Sequence, residues 1–538
     1  MKRNIIGFWK FVILSYCLTF FGACNNSEPN PSFSHGVEKD SHTGEKPIDR
    51  NMFGIGIPRG LTLSEENLTE GYVMFAPTNS PNLYLINRKG EVVHQWKSTY
   101  RADNAYFMED GSLIVGANDP DYSVFGCCGP YGRLQKMNWE GKILWDYEYA
   151  TEEHILHHDF SVMPNGNILA IAYEIRTYDE AIAKGRKSEM IPKSGLWPEK
   201  IVEIAPEGKH GAEIIWAWHL WDHMVQDVDK SKSNFGNPAD HPELLDINVG
   251  HPIPPAISQD SVDILIAKKQ THRNTTPDNM GSDVYHANAI MYNPEIDQIV
   301  FSSPALSEVF IIDHSTTTKE AASHKGGKYG KGGDFIYRWG NPQNYQRGDS
   351  LSRKLFGQHD VRWIESGKPG EGNLTVFNNH PPQEIDWSTM GTTASNYSEV
   401  LELSLPSDSN GNYIIEKDQS YGPAQPSWKF MAPDTQSFFS AFISGAHRME
   451  NGNTFINQGA RGRFFEVTPE GDKVWEYLNP FRGDVRENNG DPINPMPMVF
   501  IQFRSTFIPA DHAALSGKEL IPLDPQPETY KLPPPPSM

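Results

Sequence analysis

Residues 157–167 read HHDFSVMPNGN, and residues 442–453 read FISGAHRMENGN. Both stretches begin with polar residues, continue through a short apolar run and end in Asn-Gly-Asn. The Asn-Gly pair supplies the positive φ angles that a tight turn between antiparallel strands requires. Two such hairpins, far apart in the chain, predict a fold that is built from a repeated β unit.

The repeated unit is a hairpin, followed by an alternating strand and by a strand that ends near a tryptophan. The segment YIIEKD, residues 413–418, is expected to be a strand of one such unit. Packing between neighbouring units is the expected role of the tryptophans. Five complete units follow this pattern, at residues 104–149, 157–221, 286–342, 358–430 and 442–480.

The two ends of the chain supply the parts of one more unit. Residues 72–96 contain outer strands, and residues 503–511, FRSTFIPAD, have the pattern of an inner strand. A circular array that shares its last unit between the two termini leaves no open sheet edge, which is how a β-propeller closes. The sequence therefore predicts an all-β fold over residues 51–538, a six-bladed β-propeller whose terminal blade is closed by N- and C-terminal strands. A pair of β-sandwich domains is the alternative, and the split unit argues against it.

Long insertions interrupt the repeats at residues 175–200, 223–283 and 315–333, and they contain Gly, Pro, Asp and His. Insertions of this length are usually functional surface loops. We expect them to cover one face of the propeller.

Composition supports a β fold and excludes one class of partner. The chain has 41 prolines, 45 glycines and 11% aromatic residues, which favours many short strands joined by turns. Its formal net charge of -21 would repel a phosphate backbone, and no dense Lys/Arg run occurs beyond the N-terminus. Nucleic acid is therefore not an expected partner, and an anionic substrate needs a local positive site.

The N-terminus has the layout of a bacterial export signal. Residues 1–23 combine early basic residues with an apolar run and end in small residues directly before Cys24. We expect this segment to be removed and Cys24 to carry the lipid, while the polar residues 24–50 form a flexible tether. A plain signal peptide that is cut near Ala23 is the alternative. The expected location is the periplasm or the outer membrane of a Gram-negative bacterium, with the lipid anchor as the membrane contact.

Removal of the signal and acylation of Cys24 leave two adjacent cysteines, Cys127 and Cys128. Neighbouring cysteines can close a strained vicinal disulfide in an oxidising compartment, or they can remain thiols. We favour the vicinal disulfide. Two cysteines without nearby partners make a weak metal site.

Innermost strands of a propeller surround a central axis, so equivalent positions on these strands form a ring. Imidazole can exchange protons near neutral pH, act as a nucleophile or bind metal, and guanidinium offers paired hydrogen bonds to an oxyanion. Such a ring suits the transfer of a sulfuryl or phosphoryl group, and a zinc site held by three histidines is the rival interpretation. Alignment on the turns places six polar residues in this ring: Asp103, His158, His286, His359, Ser444 and Arg504.

Three further residues lie near the second quoted hairpin. His447 comes three positions after the ring position, so strict alternation turns it to the other face unless a bulge intervenes. Arg461 and Arg463 lie on the next segment, between glycines that allow close approach of the backbone. These arginines either bind an anion or form surface charges.

These segments resemble the bacterial arylsulfotransferases, also called aryl-sulfate sulfotransferases. The resemblance extends over most of residues 70–512 and depends on the order of its motifs. The motifs are HANAI at 286–290, DQIVFSSPALSEVFIID at 297–313, FGQHDVRWI at 356–364, GNLTVFNNH at 372–380, the segment 442–477 and FRSTF at 503–507.

The resemblance implies a periplasmic six-bladed propeller that moves a sulfuryl group from a phenolic sulfate ester to another phenol. It also implies a nucleotide-independent, ping-pong mechanism through a sulfated histidine, with no cofactor or metal. His286 and His359 match histidines of the family's site, and Arg504 matches its C-terminal arginine. Where the family has an arginine after its Asp-Asn turn, this chain has His380.

The sulfated histidine of the family falls in the region of His447, although Arg463 is an alternative occupant of that position. The resulting expectation is catalysis by His286, His359 and His447 and substrate binding by His158, Asn288, His380, Arg463 and Arg504. A non-catalytic binding propeller and a quinoprotein or metal-dependent enzyme are the alternatives.

Overall fold

The structure is a computed structural model. It describes residues 52–531 except 55, 67, 120, 121, 123, 127, 128, 251, 254, 255, 268–270, 381–396, 484–497 and the side chain of Gln436. The expected export signal, Cys24, the tether and the Cys127–Cys128 pair therefore lie outside the described residues. Within the described part of the chain, no helix is long and apolar enough to cross a membrane.

Regular structure in this protein is almost entirely β-sheet. The first strands are β1 (Gly60–Ser64), β2 (Gly71–Phe75), β3 (Ser80–Asn87), β4 (Val92–Phe107), β5 (Leu113–Asn118), β6 (Gly132–Met137), β7 (Ile143–Glu148), β8 (His154–Val162), β9 (Ile168–Glu174), β10 (Glu199–Glu207), β11 (Gly211–His219), β12 (Met224–Val225) and β13 (Leu245–Asp246). The later strands are β14 (Ala289–Asn293), β15 (Gln298–Ser303), β16 (Glu308–Asp313), β17 (Tyr337–Trp339), β18 (His359–Trp363), β19 (Leu374–Asn378), β20 (Glu399–Leu403), β21 (Trp428–Phe430), β22 (Gly445–Arg448), β23 (Thr454–Gln458), β24 (Arg463–Val467), β25 (Lys473–Leu478) and β26 (Ser505–Pro509).

The two quoted hairpins form as their sequence predicts. Gly166 and Gly452 have φ angles of 86° and 88°, so each Asn-Gly pair supplies a left-handed turn residue. The first hairpin joins β8 to β9, and the second joins β22 to β23. Turn chemistry therefore sets the register of both inner hairpins.

Most strands belong to antiparallel sheets that follow chain order. One sheet contains β8–β11, the next β14–β17 and a third β18–β21, while β22–β25 carry β1 at their outer edge. The remaining large sheet has the order β26-β2-β3-β4-β5-β6-β7. Its 16-residue strand β4 pairs with β3 along its first part and with β5 along its second, so it is shared by two four-stranded units.

Segments from the two ends of the chain share that seven-stranded sheet. Strand β26 pairs with β2 from Gly71 opposite Pro509 to Phe75 opposite Ser505. The predicted inner strand in residues 503–511 is thus confirmed, and its partners are the expected ones. A hydrogen-bonded ladder therefore joins an N-terminal strand to a C-terminal strand.

Residues 413–418 were expected to form a strand, and that prediction is wrong. Tyr413 makes only an isolated bridge with Ser407. Its hydroxyl donates to Gln298 Oε1 at 2.6 Å, and its ring lies 5.0 Å from that of Tyr337. Tyr413 and Ile415 therefore pack on the neighbouring β14–β17 sheet instead of extending a ladder.

Apolar side chains fill the spaces between successive sheets. Strand β14 packs beside both β8 and β18, and β18 packs beside β22. The tryptophans join neighbouring sheets, as predicted: Trp145 Nε1 donates to Gly211 O at 2.8 Å, and Trp475 Nε1 donates to Arg88 O at 2.8 Å. Core packing thus places the innermost strands side by side.

The insertions contain most of the helical structure. Thr177 caps α1 (Tyr178–Lys184) with a reciprocal Thr–Glu capping box. The other α-helices are α2 (Gln259–Ala267) and α3 (Thr318–Ala321), and the 3₁₀ helices are Ser188–Met190, Leu220–Asp222, Pro238–Asp240, Pro342–Tyr345, Thr435–Ser437, Gly459–Arg461, Met498–Phe500 and Ala513–Leu515. The insertion 315–333 packs along the outer strand β11, where Thr318 Oγ1 accepts a bond from Ala217 N, and this differs from the expected cover of one face.

Candidate functional site

The predicted ring residues lie within the innermost strands, near irregular points, or in the few residues that precede them. The ladders of β4, β8 and β18 each contain a register shift. The φ angles of His158, His286, Asp360 and Ser444 are 56°, 45°, 55° and 99°. Side chains with a Cβ rarely adopt such angles, and residues held there concentrate at functional sites. These bulges break the strict alternation of side chains along the strands.

Arg504 shows that the innermost strands converge. Its Nη1 donates to Ser444 O at 3.0 Å, and its Nη2 donates to Asn288 O at 2.8 Å. The same guanidinium lies 3.4 Å from Asp159 Oδ2 and 3.1 Å from Asp360 Oδ1. One buried cation from the C-terminal strand therefore contacts residues of four other sheets.

His286 is oriented by a carboxylate three residues earlier in the chain. Its Nδ1 is hydrogen-bonded to Asp283 Oδ2. The Tyr173 hydroxyl donates to the same carboxylate oxygen at 3.0 Å and lies 3.2 Å from Nδ1. Burial alone would lower the pKa of His286, but the charge and hydrogen bond of Asp283, reinforced by Glu199, raise it above its ordinary value. We call Asp283 and His286 the Asp–His pair.

A chain of buried groups supports a second imidazole beside this pair. The ring of His158 lies 4.5 Å from that of His286, in an edge-to-face arrangement. Its Nδ1 is 2.8 Å from His157 Nδ1, and His157 Nε2 is 2.9 Å from Glu199 Oε2. Burial holds the pKa of both His157 and His158 well below its ordinary value, and burial raises the pKa of the Glu199 carboxyl. The chain is therefore neutral in its imidazoles and able to hold a proton on Glu199.

Gly129 leaves the room that the His158 ring occupies. Its φ is 87°, and a Cβ at this position would lie 2.3 Å from the nearest ring carbon of His158. We expect Gly129→Ala to displace the ring and to cost at least about 2 kcal/mol of unfolding free energy, because strain and overpacking add. Chemical denaturation of the two proteins measures the difference in unfolding free energy. Gly141→Ala is the control: its φ is 80° but a Cβ there meets nothing within 4 Å, so only the backbone cost should appear. Equal behaviour of the two variants would contradict the proposed contact.

Both ring nitrogens of His359 are hydrogen-bonded within the protein. Its Nδ1 is 2.8 Å from Asn379 Oδ1 and 3.0 Å from Gly357 O, and its Nε2 accepts a bond from Ile443 N at 3.1 Å. Burial, followed by the charge of Arg504, lowers the pKa of His359 to about 3. This imidazole is neutral, and reaction at Nε2 requires the loss of the Ile443 bond. Its geometry therefore favours positioning over attack on a substrate.

Two aspartates and two arginines form an ionic network between the converging strands. Arg362 Nε donates to Asp360 Oδ1 at 2.8 Å, and the Tyr106 hydroxyl donates to Asp159 Oδ1 at 2.7 Å. Burial raises the pKa of Asp159, whereas Arg362 and Arg504 overcome burial and lower the pKa of Asp360. The positive charge of Arg504 is therefore largely balanced within the protein. A narrow cavity beside Arg504 is lined by Met74, Phe75, Ala76, Asn104, Ala105, Ser505 and Thr506.

Asp103 occupies the ring position of β4, and its carboxyl has a raised pKa. Burial raises the pKa of its carboxyl to about 6, against the opposing charge of Arg101. The folded protein therefore retains a proton that the unfolded chain releases near pH 4, so this stabilisation is lost as pH rises through about 6. We expect Asp103→Asn to stabilise the protein by about 2 kcal/mol near pH 7.5, with the gain vanishing near pH 4. Denaturation across this pH range measures it.

Asp110 is a control for that experiment, because folding lowers the pKa of its carboxyl instead of raising it. Hydrogen bonds from Ser112 and Lys136 overcome its partial burial and lower the pKa of its carboxyl to about 2. Its contribution is therefore present at neutral pH and lost on acidification. Asp110→Asn should destabilise near pH 7.5, and a common direction for the two variants would contradict the assignment of Asp103.

The structure places other predicted residues away from the Asp–His pair. His447 lies opposite Phe455 in the ladder, its Nε2 accepts a bond from Phe507 N, and burial lowers its pKa to about 3. His380 bonds to Glu399 Oε1 at 2.8 Å, and Arg463 Nε donates to Glu476 Oε2 at 2.6 Å. Asn288, in contrast, lies among the converging strands, where its Nδ2 donates to Gln358 O.

Several residues of the site were missed by the sequence analysis. His157, Glu199, Asp283 and Tyr173 all support the two imidazoles. The dipeptide His157-His158 and the three-residue spacing of Asp283 and His286 were visible signals. Nothing local marks Glu199, because it reaches the site from strand β10.

The fold and the site describe an all-β protein whose carboxylate-supported histidines lie where its strands converge. The family model of the arylsulfotransferases (ASST) matches residues 60–486. The chain therefore belongs to the arylsulfotransferase family. Membership supports a sulfotransferase activity on aryl compounds and confirms the resemblance seen in the sequence.

Comparison with solved structures gives only distant similarity. A protein of unknown function from Bacteroides caccae has a TM-score of 0.38 and 10% identity, over 76% of this chain and 94% of that chain. The β-propeller domain of Swd1 from Myceliophteria thermophila has a TM-score of 0.33 and 10% identity, over 79% and 90%. A catalytically inactive virginiamycin B lyase from Staphylococcus aureus, with quinupristin, has a TM-score of 0.32 and 9% identity, over 78% and 89%. No curated protein matches the sequence.

Proposed function

We propose that the protein transfers a sulfuryl group from an aryl sulfate ester to a phenolic acceptor, without a nucleotide donor. The observation that carries this proposal is the Asp–His pair beside His158, with the two rings 4.5 Å apart at the converging strands. Membership of the arylsulfotransferase family supports the reaction type. No cofactor enters the proposed chemistry.

His286 is the proposed nucleophile. A proton held on Nδ1 by Asp283 leaves Nε2, at the opposite edge of the ring, as the atom that attacks sulfur. In the first step the Nε2–S bond forms, the S–O bond to the aryl group breaks, and the phenol leaves with the electron pair. In the second step the acceptor oxygen attacks sulfur and the N–S bond breaks. The raised pKa of His286 means that attack requires a pH at which Nε2 has lost its proton.

The chain from His158 to Glu199 is the proposed proton acceptor for the incoming phenol. When His158 Nε2 takes the phenolic proton, its Nδ1 can pass a proton to His157, and His157 Nε2 can pass one to Glu199. The relay requires Glu199 to be ionised before the phenol arrives, and burial, which raises the pKa of this carboxyl, makes the ionised form a strong proton acceptor. The charge thus moves away from the reacting sulfur without leaving the protein.

The proposed architecture is a closed six-bladed propeller. The pairing of β26 with β2, the sharing of β4 and the contacts of Arg504 with four other sheets support this arrangement. We also propose export as a lipoprotein through Cys24, with residues 24–50 as a tether, on the basis of the N-terminal sequence. Labelling with a fatty-acid analogue, compared between the protein and Cys24→Ala, tests the anchor.

Single-turnover kinetics test the reaction. The purified protein is mixed with a ³⁵S-labelled aryl sulfate without acceptor, and released phenol and protein-bound label are counted. We expect one equivalent of phenol and an acid-labile label on the protein, which a phenolic acceptor then removes. Tight binding without phenol release would instead indicate a non-catalytic propeller. A visible absorption band in the purified protein would support the quinoprotein alternative.

A further inference from the structure

Two of the long insertions meet at a cluster of side chains outside the axial site. His223 follows strand β11, and His324 and Asp334 lie in and directly after the insertion 315–333. His223 Nδ1 and His324 Nδ1 are each 2.7 Å from the same oxygen, Asp334 Oδ1. The candidate ligand atoms of the three residues all lie within 4.8 Å of one another.

The three side chains turn nitrogen and oxygen donor atoms toward one point. His223 Nε2 lies 2.8 Å from Ala321 O, and a carbonyl oxygen only accepts, so Nε2 is the donor of this bond and Nδ1 is the atom that faces the cluster. Nδ1 of His223 and Nδ1 of His324 both lie beside the same Asp334 oxygen. The side chains of His223 and Asp334 are 0% and 7% exposed, so most of this donor set is shielded from water.

We propose that His223, His324 and Asp334 bind a divalent transition-metal ion of the zinc class, through two Nδ1 atoms and one carboxylate oxygen. Imidazole and carboxylate are the ligand types that such ions prefer. The bond from His223 Nε2 to the Ala321 carbonyl has the form usual for metal-binding histidines, whose second nitrogen donates to a carbonyl or carboxylate. His324 is 58% exposed, which gives the ion a path from solvent and room for a water ligand.

The surrounding residues hold the three ligands in place. The ring of Trp218 stacks on His223 with centroids 5.5 Å apart and an interplanar angle of 1°. Its Nε1 donates to Gly333 O at 2.7 Å, directly before Asp334. A Cβ on Gly333 would lie 2.0 Å from Ala321 O and 2.6 Å from His223 Nε2, so glycine is required for this approach. Packing thus fixes the buried side of the site, and His324 completes it from the surface.

The ion would cross-link the β8–β11 sheet to the β14–β17 sheet, because His223 follows β11 and Asp334 precedes β17. None of its ligands contacts the Asp–His pair or Arg504. Loss of metal should therefore change stability and leave sulfuryl transfer in the folded protein unchanged. This inference departs from the absence of metal expected from the sequence, and it does not depend on the proposed reaction.

Metal analysis and thermal unfolding test the proposal. Tag-free protein is stripped with a chelator, and Zn²⁺ or Mg²⁺ is added back. We expect one tightly bound equivalent of zinc and a rise in Tm of about 3 °C at a hundredfold excess over the dissociation constant, with no rise for Mg²⁺. Absence of bound zinc, or equal effects of the two ions, would overturn the proposal in favour of a hydrogen-bonded cluster without metal.

Matched variants separate metal binding from ordinary hydrogen bonding. Asp334→Asn should lose the bound zinc and the zinc-dependent rise in Tm. Asp297→Asn is the control, because Asp297 Oδ1 lies 2.7 Å from Nδ1 of His314 but has no second imidazole partner in the described residues. His324→Ala changes an exposed side chain, so it carries the test if Asp334→Asn fails to fold, and its zinc affinity should fall at least tenfold. Unchanged zinc binding in His324→Ala would contradict the site.

Discussion

His286→Asn is expected to lower the rate of sulfuryl transfer by about 10³-fold or more and to abolish the protein-bound ³⁵S label. Asparagine can keep a hydrogen bond to Asp283 but has no nucleophilic nitrogen. Asp283 orients the imidazole of His286, and the His158 ring lies 4.5 Å away. The substitution therefore removes the reacting nitrogen and should leave the fold intact. Single-turnover phenol release and label counting measure it, and circular dichroism checks the fold.

His380→Asn is the matched control for this experiment. His380 also has a positive φ, 49° against 45° for His286, and it also bonds to a carboxylate, Glu399. It stacks on Phe356 and Tyr397, apart from the Asp–His pair. Transfer should stay within about threefold of the original rate. If His380→Asn abolished the label and His286→Asn retained it, the sulfated residue would have to be sought on the β18–β21 sheet.

Arg504→Met is expected to reduce the free energy of unfolding by about 3–5 kcal/mol. The substitution removes the donors that serve Ser444 O and Asn288 O, and it leaves Asp159 and Asp360 with less compensation in a buried site. Breaking one member of a buried ionic network costs far more than the pair itself contributes, because an uncompensated charge remains. Urea denaturation of the two proteins measures the difference.

Two further variants make this prediction specific. In Arg504→Met/Asp159→Asn the uncompensated carboxylate is gone, so the double variant should lose less than the sum of the single losses. Arg463 pairs with Glu476, but Lys473 Nζ also lies 2.6 Å from Glu476 Oε2, so Arg463→Met leaves that carboxylate compensated and should cost only about 1–2 kcal/mol. If Arg504→Met and Arg463→Met lowered the free energy of unfolding equally, the contacts of Arg504 with several sheets would not stabilise the protein more than an ordinary ion pair does.

Local chemistry in the sequence predicted much of the fold. Gly166 and Gly452 mark the inner hairpins because only a few residues accept a left-handed turn. Alternating apolar residues predicted the ladders, and residues 503–511 could be placed with the N-terminal strands because each segment lacked its partners. The failure at residues 413–418 has a tertiary cause, since Tyr413 bonds to Gln298 on another sheet.

The site was less predictable, because it depends on side-chain direction and on distant partners. Alignment on turns brought His158, His286 and Arg504 together correctly, since bulges recur at the same point of the inner strands. The alignment could not show that Ile443 N donates a hydrogen bond to His359 Nε2. Nor could it show that Glu199, on another strand, is hydrogen-bonded to His157. Those contacts require the packed structure.

The ladder between β2 and β26 also has a consequence for biosynthesis. Because the ribosome releases residues 71–75 long before residues 505–509, the nascent chain carries an unsatisfied strand edge until its last part emerges. An edge of this kind is a template for pairing with another polypeptide. A product that terminates before Arg504 would keep the strands of most sheets. It would lack the ladder between β2 and β26 and also the guanidinium of Arg504. We expect such a product to associate with other chains through the exposed edge of β2.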